Sequence, residues 1–139
     1  MISRVLVPMD DSEMAERALE YALEAHPDAE ITVLHIVGEP SPMMGEAIGL
    51  SLEDNFEDAA EKQASEVLDR AREIAEAYEK EIRTDVGWGK PAKVIINRAE
   101  DFDTVVVGSH GGSLAERLFV GNVAQTVFRR SPVPVTVVR

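Results

Sequence analysis

Five short apolar runs, at residues 2–7, 31–37, 82–86, 104–107 and 133–138, constrain this chain most, because they are rich in valine and isoleucine and lack clean polar alternation. A strand with one wet face alternates apolar and polar residues, whereas continuous apolar runs belong to parallel strands covered on both faces. Parallel strands need a crossover, and the stretches between the runs carry helical patterns. Ser12 stands as N-cap of a first helix that presents Ala15, Ala18, Leu19 and Ala22 on one face. It ends near His26-Pro27, because proline disfavours helical geometry in the residue before it. A second helix over 53–80 places Phe56, Ala60, Val67, Ala71, Ile74 and Tyr78 along a stripe. Pro91 suits the first turn of a third helix, and 122–129 makes the fourth. This alternation predicts an α/β fold with right-handed crossovers. With 139 residues, 45% of them hydrophobic, the chain fits one domain over 1–139 without a linker.

The fourth run leads into Gly108-Ser109-His110-Gly111, and nine further residues separate Gly111 from Gly121-Asn122. Closely placed glycines behind a buried strand present bare backbone amides, the groups that bind phosphate. Gly108 and Gly111 permit positive φ and close approach of a ligand, while Gly121 opens the last helix, whose N-terminus carries free N–H groups and the positive end of the dipole. No GxxxxGK[ST] loop is present, which sets aside a Walker-type hydrolase. Gly87-Trp88-Gly89-Lys90-Pro91-Ala92 fits a loose dinucleotide fingerprint, but Pro91 removes an amide that would hold a pyrophosphate, so a tight strand-to-helix turn is the better explanation.

In its spacing of Gly108, Gly111 and Gly121 the chain resembles the nucleotide-binding members of the universal stress protein family. The flanks carry the same resemblance: Val5 to Ser12 at the start, Leu34 to Val37, Gly89 to Ala92, and Pro132 to Val135 near the end. Asn122 departs from the pattern, since it stands where the family's ATP binders carry serine or threonine. The resemblance implies an open, Rossmann-like five-stranded parallel sheet of order 3-2-1-4-5 with helices on both faces. It also implies a stress-response or regulatory module that binds ATP, or AMP or ADP, with Mg²⁺ accompanying ATP.

In open α/β sheets ligands lie beyond the carboxyl ends of the strands, at the switch in strand order. Three sets of residues occupy those positions: Pro8, Met9, Asp10 and Ser12 after strand one; Ile36 and Val37 at the end of strand two; Gly108, His110, Gly111 and Gly112 after strand four. The resemblance makes Met9 and Val37 the apolar, backbone-donating wall for adenine, Asp10 the partner of ribose or of a Mg²⁺-bound phosphate, and His110 a polar residue facing the phosphates. The phosphates would rest on the Gly108-to-Gly111 turn and the amides of Gly121, Asn122 and Val123. Taken alone, Asp10 reads as a turn or capping carboxylate. His26, His35 and His110 have no metal-ligand spacing, and His26 at a helix end reads as a dipole partner.

Twenty-six acidic residues against 14 basic ones give a net charge of −12, which repels nucleic acid and anionic membranes. An acidic surface poor in lysine suits a cell of high internal salt. No cysteine is present, so thiolate metal sites and thiol redox chemistry are excluded. No apolar stretch approaches a membrane span, and a cytoplasmic protein is expected. The breaker-rich segment 38–52, with Met43-Met44, is placed to close over a ligand or simply to cover core. No serine elbow or HExxH motif is present, so no catalytic residue is assigned; slow ATP hydrolysis through Asp10 and His110 is the most that the sequence allows. Pro134 marks 133–138 as an edge strand, and pairing of that edge with a second copy gives a homodimer. The alternative function is a dimeric interaction protein of the same fold that binds no nucleotide and acts on an unknown protein partner.

Overall fold

The computed structural model describes residues 1–38, 53–109 and 114–139, with side chains over 1–38, 57–109 and 122–139. In chain order the elements are β1 (Arg4–Pro8), α1 (Glu13–Ala25), β2 (Glu30–Val37), α2 (Glu53–Ala77), β3 (Arg83–Trp88), α3 (Pro91–Ala99), β4 (Thr104–Gly108), α4 (Leu114–Arg130) and β5 (Val135–Val138). The strands pair in parallel in the order β3-β2-β1-β4-β5, as expected. Each expected strand is present with its ends moved by no more than two residues.

Successive strand side chains point to opposite faces, and the sheet buries both. On one face Val5, Val7, Ile31, Val33 and Val106 pack with Leu19 of α1 and Val67 of α2. On the other face Leu6, Leu34 and Val105 pack with Ile95 of α3 and Val127 of α4. Each such leucine, isoleucine or valine contributes about 1.5–3 kcal/mol by leaving water, which is why the runs show no polar alternation.

The helix ends follow from local chemistry. Ser12 Oγ accepts from the amide of Ala15 at 3.2 Å, and α1 stops before Pro27 with His26 as C-cap. The helix α2 stops at Ala77 rather than at residue 80, because Glu79 takes a left-handed conformation (φ 56°) and the Lys80 amide turns back to the Ala75 carbonyl at 3.0 Å. One expectation is corrected: α4 begins at Leu114 instead of 122, so Gly121, Asn122 and Val123 lie inside the helix rather than at its N-terminus. A single helical glycine costs only about 1 kcal/mol relative to alanine, too little to break a helix on its own. The acidic residues Glu57, Asp58, Glu61 and Glu66 are exposed on α2, as the charge pattern implied.

At the amino ends of the strands, Asp103 holds the start of β1. Its Oδ2 accepts from the Ser3 amide at 2.9 Å, the Arg4 amide at 2.9 Å and the Ser3 hydroxyl at 3.0 Å. These bonds, the Ser3 amide first, hold the carboxyl below the ordinary aspartate range. A depressed folded-state value means that the stabilisation is present above the unfolded value and is lost as pH falls through the folded one. Asp103→Ala is therefore expected to lower the melting temperature at neutral pH, with the gap to wild type closing below about pH 4. Thermal melts from pH 7 to pH 3 check this, and a gap that persists unchanged at pH 3 would refute the charged role of Asp103.

Candidate functional site

The crossovers through α1 and α2 pack on one face of the sheet and those through α3 and α4 on the other, so the winding reverses between β1 and β4. A crevice must open there, because the segments leaving adjacent strand ends turn to opposite sides. The structure holds a cleft of about 170 Å³ at that place. Of the expected residues, Pro8, Met9, Asp10, Ser12, Ile36, Gly108 and Val123 line it. Leu34, Val107, Pro91 and Ile95 line it too and were missed by the sequence reading. Their signals were present: Leu34 shares a strand face with Ile36, two residues on, and Ile95 lies one helical turn beyond Pro91.

Val37 does not join them. It lines a separate groove on the opposite sheet face with Ala64 and Leu68 of α2 and with Val86 and Trp88 of β3. The step from Ile36 to Val37 crosses the sheet, so the two cannot face one ligand with their side chains. Asn122 is exposed and does not line the cleft. His110, Gly111 and Gly112 lie outside the described residues, as do Met43 and Met44.

Around the cleft the main chain is held by short-range bonds. The Met9 amide donates to the Leu34 carbonyl at 2.8 Å, and the buried His35 ring places Nδ1 3.0 Å from the Met9 carbonyl oxygen. Asp10 Oδ1 accepts from the Ser12 amide at 2.9 Å, a local turn bond of the kind that aspartate before a helix forms. The structural reading of Asp10 is thus satisfied, and its carboxylate remains half-buried at the mouth of the cleft. Beside it a smaller hollow is lined by Asp10, Asp11, Glu16, Glu66 and Arg70. Arg70 is held by Glu16 at 2.5 Å and Glu73 at 3.2 Å, which push its guanidinium further above its usual value and neutralise it locally. Asp10 is the acidic residue shared by the hollow and the cleft, and an anion placed against its carboxylate needs an accompanying cation. Among the described residues no group of three histidine or carboxylate side chains is placed to hold a metal ion by itself.

The glycines behave differently from the expectation. Gly108 lies within β4 without positive φ, and a Cβ there would come within 2.9 Å of the Met14 carbonyl oxygen and 3.0 Å of its carbon. Its lack of a side chain thus admits the backbone of α1. Gly89 is the glycine with positive φ (124°) among the described residues, in the turn before Pro91, while Gly87 makes room for Val94 of α3. The turn explanation for the Gly87-to-Gly89 segment holds. Gly108→Ala is expected to destabilise the fold by about 1–3 kcal/mol, since rigid backbone rather than a flexible side chain stands in the way. Urea unfolding measures this, and wild-type stability in the variant would show that α1 has room to move.

The universal stress protein family profile matches residues 1–139. Universal stress protein YxiE of Bacillus subtilis is 29% identical over 148 residues, covering 100% of this chain and 100% of that protein. Among solved structures, universal stress protein UspA from Lactobacillus plantarum has a TM-score of 0.82 at 23% identity, over 99% of this chain and 98% of that one, a likeness of fold. A universal stress protein solved in complex with cAMP has a TM-score of 0.72 at 25% identity, over 99% of this chain and 97% of that one.

Proposed function

The chain belongs to the universal stress protein family, and from that membership we propose that it is a cytoplasmic regulatory module that binds an adenine nucleotide in the cleft between the ends of β1, β2 and β4. The observation that carries this reading is the convergence of Pro8, Met9, Asp10, Ile36 and Gly108 on one cleft at the reversal of strand order. The relative solved with cAMP supports the nucleotide class. At about 170 Å³ the cleft is smaller than the roughly 300–1,000 Å³ of drug-sized ligand sites, so it suits the base. The phosphates fall to the chain that follows Gly108 and to Gly121, Asn122 and Val123. Mg²⁺ is usually held by one or two carboxylates together with phosphate oxygens, and Asp10 at the mouth of the cleft fits that donor set. Bound there, the ion offsets repulsion between the phosphates and the surrounding carboxylates. Asp10 is the one acid-base group the described site offers, so hydrolysis, where it occurs, is slow.

Isothermal titration tests the reading. Mg-ATP and AMP are expected to bind wild type, and Gly121→Val is expected to abolish Mg-ATP binding in a folded protein, because a branched side chain at that point of α4 crowds the approach of the phosphates. No heat with Mg-ATP, AMP or cAMP would overturn it. One observation favours the second reading, an interaction protein without nucleotide: residues 121–123 lie inside α4, where helical bonds engage main-chain amides.

Assembly through β5 belongs to the same proposal and to both readings. The strand lies at the sheet edge, Pro134 offers no amide, and Val137 is 39% exposed. Pairing with the same strand of a second copy about a two-fold axis covers that edge. The double substitution Val135→Lys, Val137→Lys is expected to shift a wild-type dimer toward monomer in sedimentation velocity at moderate salt. A dimer that survives the double substitution, or a monomeric wild type at tens of micromolar, would remove β5 as the seam.

A further inference from the structure

We propose that His35 is a positioning residue of the cleft: its imidazole takes the place of a sheet amide at the end of β1, so that β1 parts from β2 at Met9 and the cleft opens between them. The proposal of a role in ligand affinity rests on the nucleotide reading above. The β1–β2 ladder ends with Pro8 opposite Leu34, and the Met9 amide still bonds to the Leu34 carbonyl at 2.8 Å. In a continued parallel ladder the Met9 carbonyl would accept next from the Ile36 amide. Its partner instead is His35 Nδ1 at 3.0 Å. A carbonyl oxygen only accepts, so Nδ1 carries the hydrogen. Met9, the residue that follows β1, is thus held by two consecutive residues of β2, through the main chain of Leu34 and the side chain of His35.

The parity of β2 defines what His35 does. Ile31 and Val33 point to the face covered by α1 and α2, and His35 shares that parity. Leu34 and Ile36 point to the other face and line the cleft. The ring, 5% exposed, therefore acts from behind the cleft wall and touches no ligand within it. It fixes where the Met9 main chain stands relative to Ile36 across the opening, and it sets the exit of the chain toward Asp10. A leucine would fill the volume without donating, leaving a buried carbonyl unsatisfied. An asparagine can place a side-chain N–H near the Nδ1 position and donate to the same oxygen.

Two measurements test this on the whole chain, with His35→Leu, His35→Asn and Ile31→Val. Ile31→Val is a mildly destabilising change in the same strand away from the cleft. By titration with AMP, His35→Leu is expected to lose about tenfold in affinity, the size of one hydrogen bond, while His35→Asn retains most of it. Ile31→Val is expected to bind like wild type despite lower stability. A folded His35→Leu with wild-type affinity, or an asparagine variant as weak as leucine, overturns the proposal. Amide hydrogen exchange at Met9 gives a readout free of nucleotide. Exchange is expected to rise about tenfold in His35→Leu and to return toward wild type in His35→Asn. Unchanged exchange in His35→Leu overturns the strut even where nucleotide binds. A wild type that takes up no AMP but shows the expected exchange pattern overturns the nucleotide reading and leaves the strut standing.

Discussion

Parallel strands cannot be joined by a tight turn, and that constraint organises this molecule. Each connection must cross the sheet as a helix, and each crossover turns right-handed. A chain that starts in the middle of its sheet, lays β2 and β3 to one side and then returns to lay β4 and β5 on the other must cover opposite faces in its two halves. Between β1 and β4 the covering layers part. The cleft is the geometric remainder of that reversal, walled by residues that end the central strands and by the flanking helices.

The fold was legible in the sequence because its signals are periodic and strong. Five apolar runs without alternation require a sheet buried on both faces, and Ser12, Pro27 and Pro91 punctuate the helices through their own backbone chemistry. The site was legible in part. Pro8, Met9, Asp10 and Ser12 follow β1 directly, so the strand-end rule finds them. The same rule does not report which face a residue takes: the Val37 side chain lies on the opposite face, and that of its neighbour Ile36 lines the cleft. Gly108 lines the cleft as its spacing suggested, but the structure adds a second reason for a glycine there, the close approach of α1 through Met14. No local pattern reports which element will press on a glycine, since that depends on a helix nearly a hundred residues earlier. The start of α4 was set too late for a related reason, since Gly121 weakens a helix without ending it.

The two ends of the sheet are built unlike each other. At the amino ends, charged side chains consolidate: Asp103 takes the amides of Ser3 and Arg4, Glu30 lies 3.3 Å from Arg83 and 3.9 Å from Arg4, and Arg4 also stands 5.1 Å from the centre of the Phe102 ring. Each exposed ion pair contributes at most about 1 kcal/mol. At the carboxyl ends the main chain after β1 is held instead by a turn carboxylate, a helix cap and a buried ring. The side-chain bonds among charged groups and the open cleft thus lie at opposite poles of one sheet.

The pairing of β1 with β4 also bears on how the chain is made. Of this domain's strands β1 leaves the ribosome first, yet one of its two sheet partners, and the Asp103 carboxylate that caps its start, arrive only 99 residues later. At about 5–20 residues per second, that interval is roughly 5–20 s. Collapse of a chain this size takes microseconds, so elongation sets the pace. Through that interval β1, partnered by β2 and with β3 added only near its end, is an apolar strand with one open flank, the feature that neighbouring nascent chains or strands pair with most readily. Completion of the central strand is therefore timed by translation, and its open flank is a hazard of synthesis that the finished protein no longer displays.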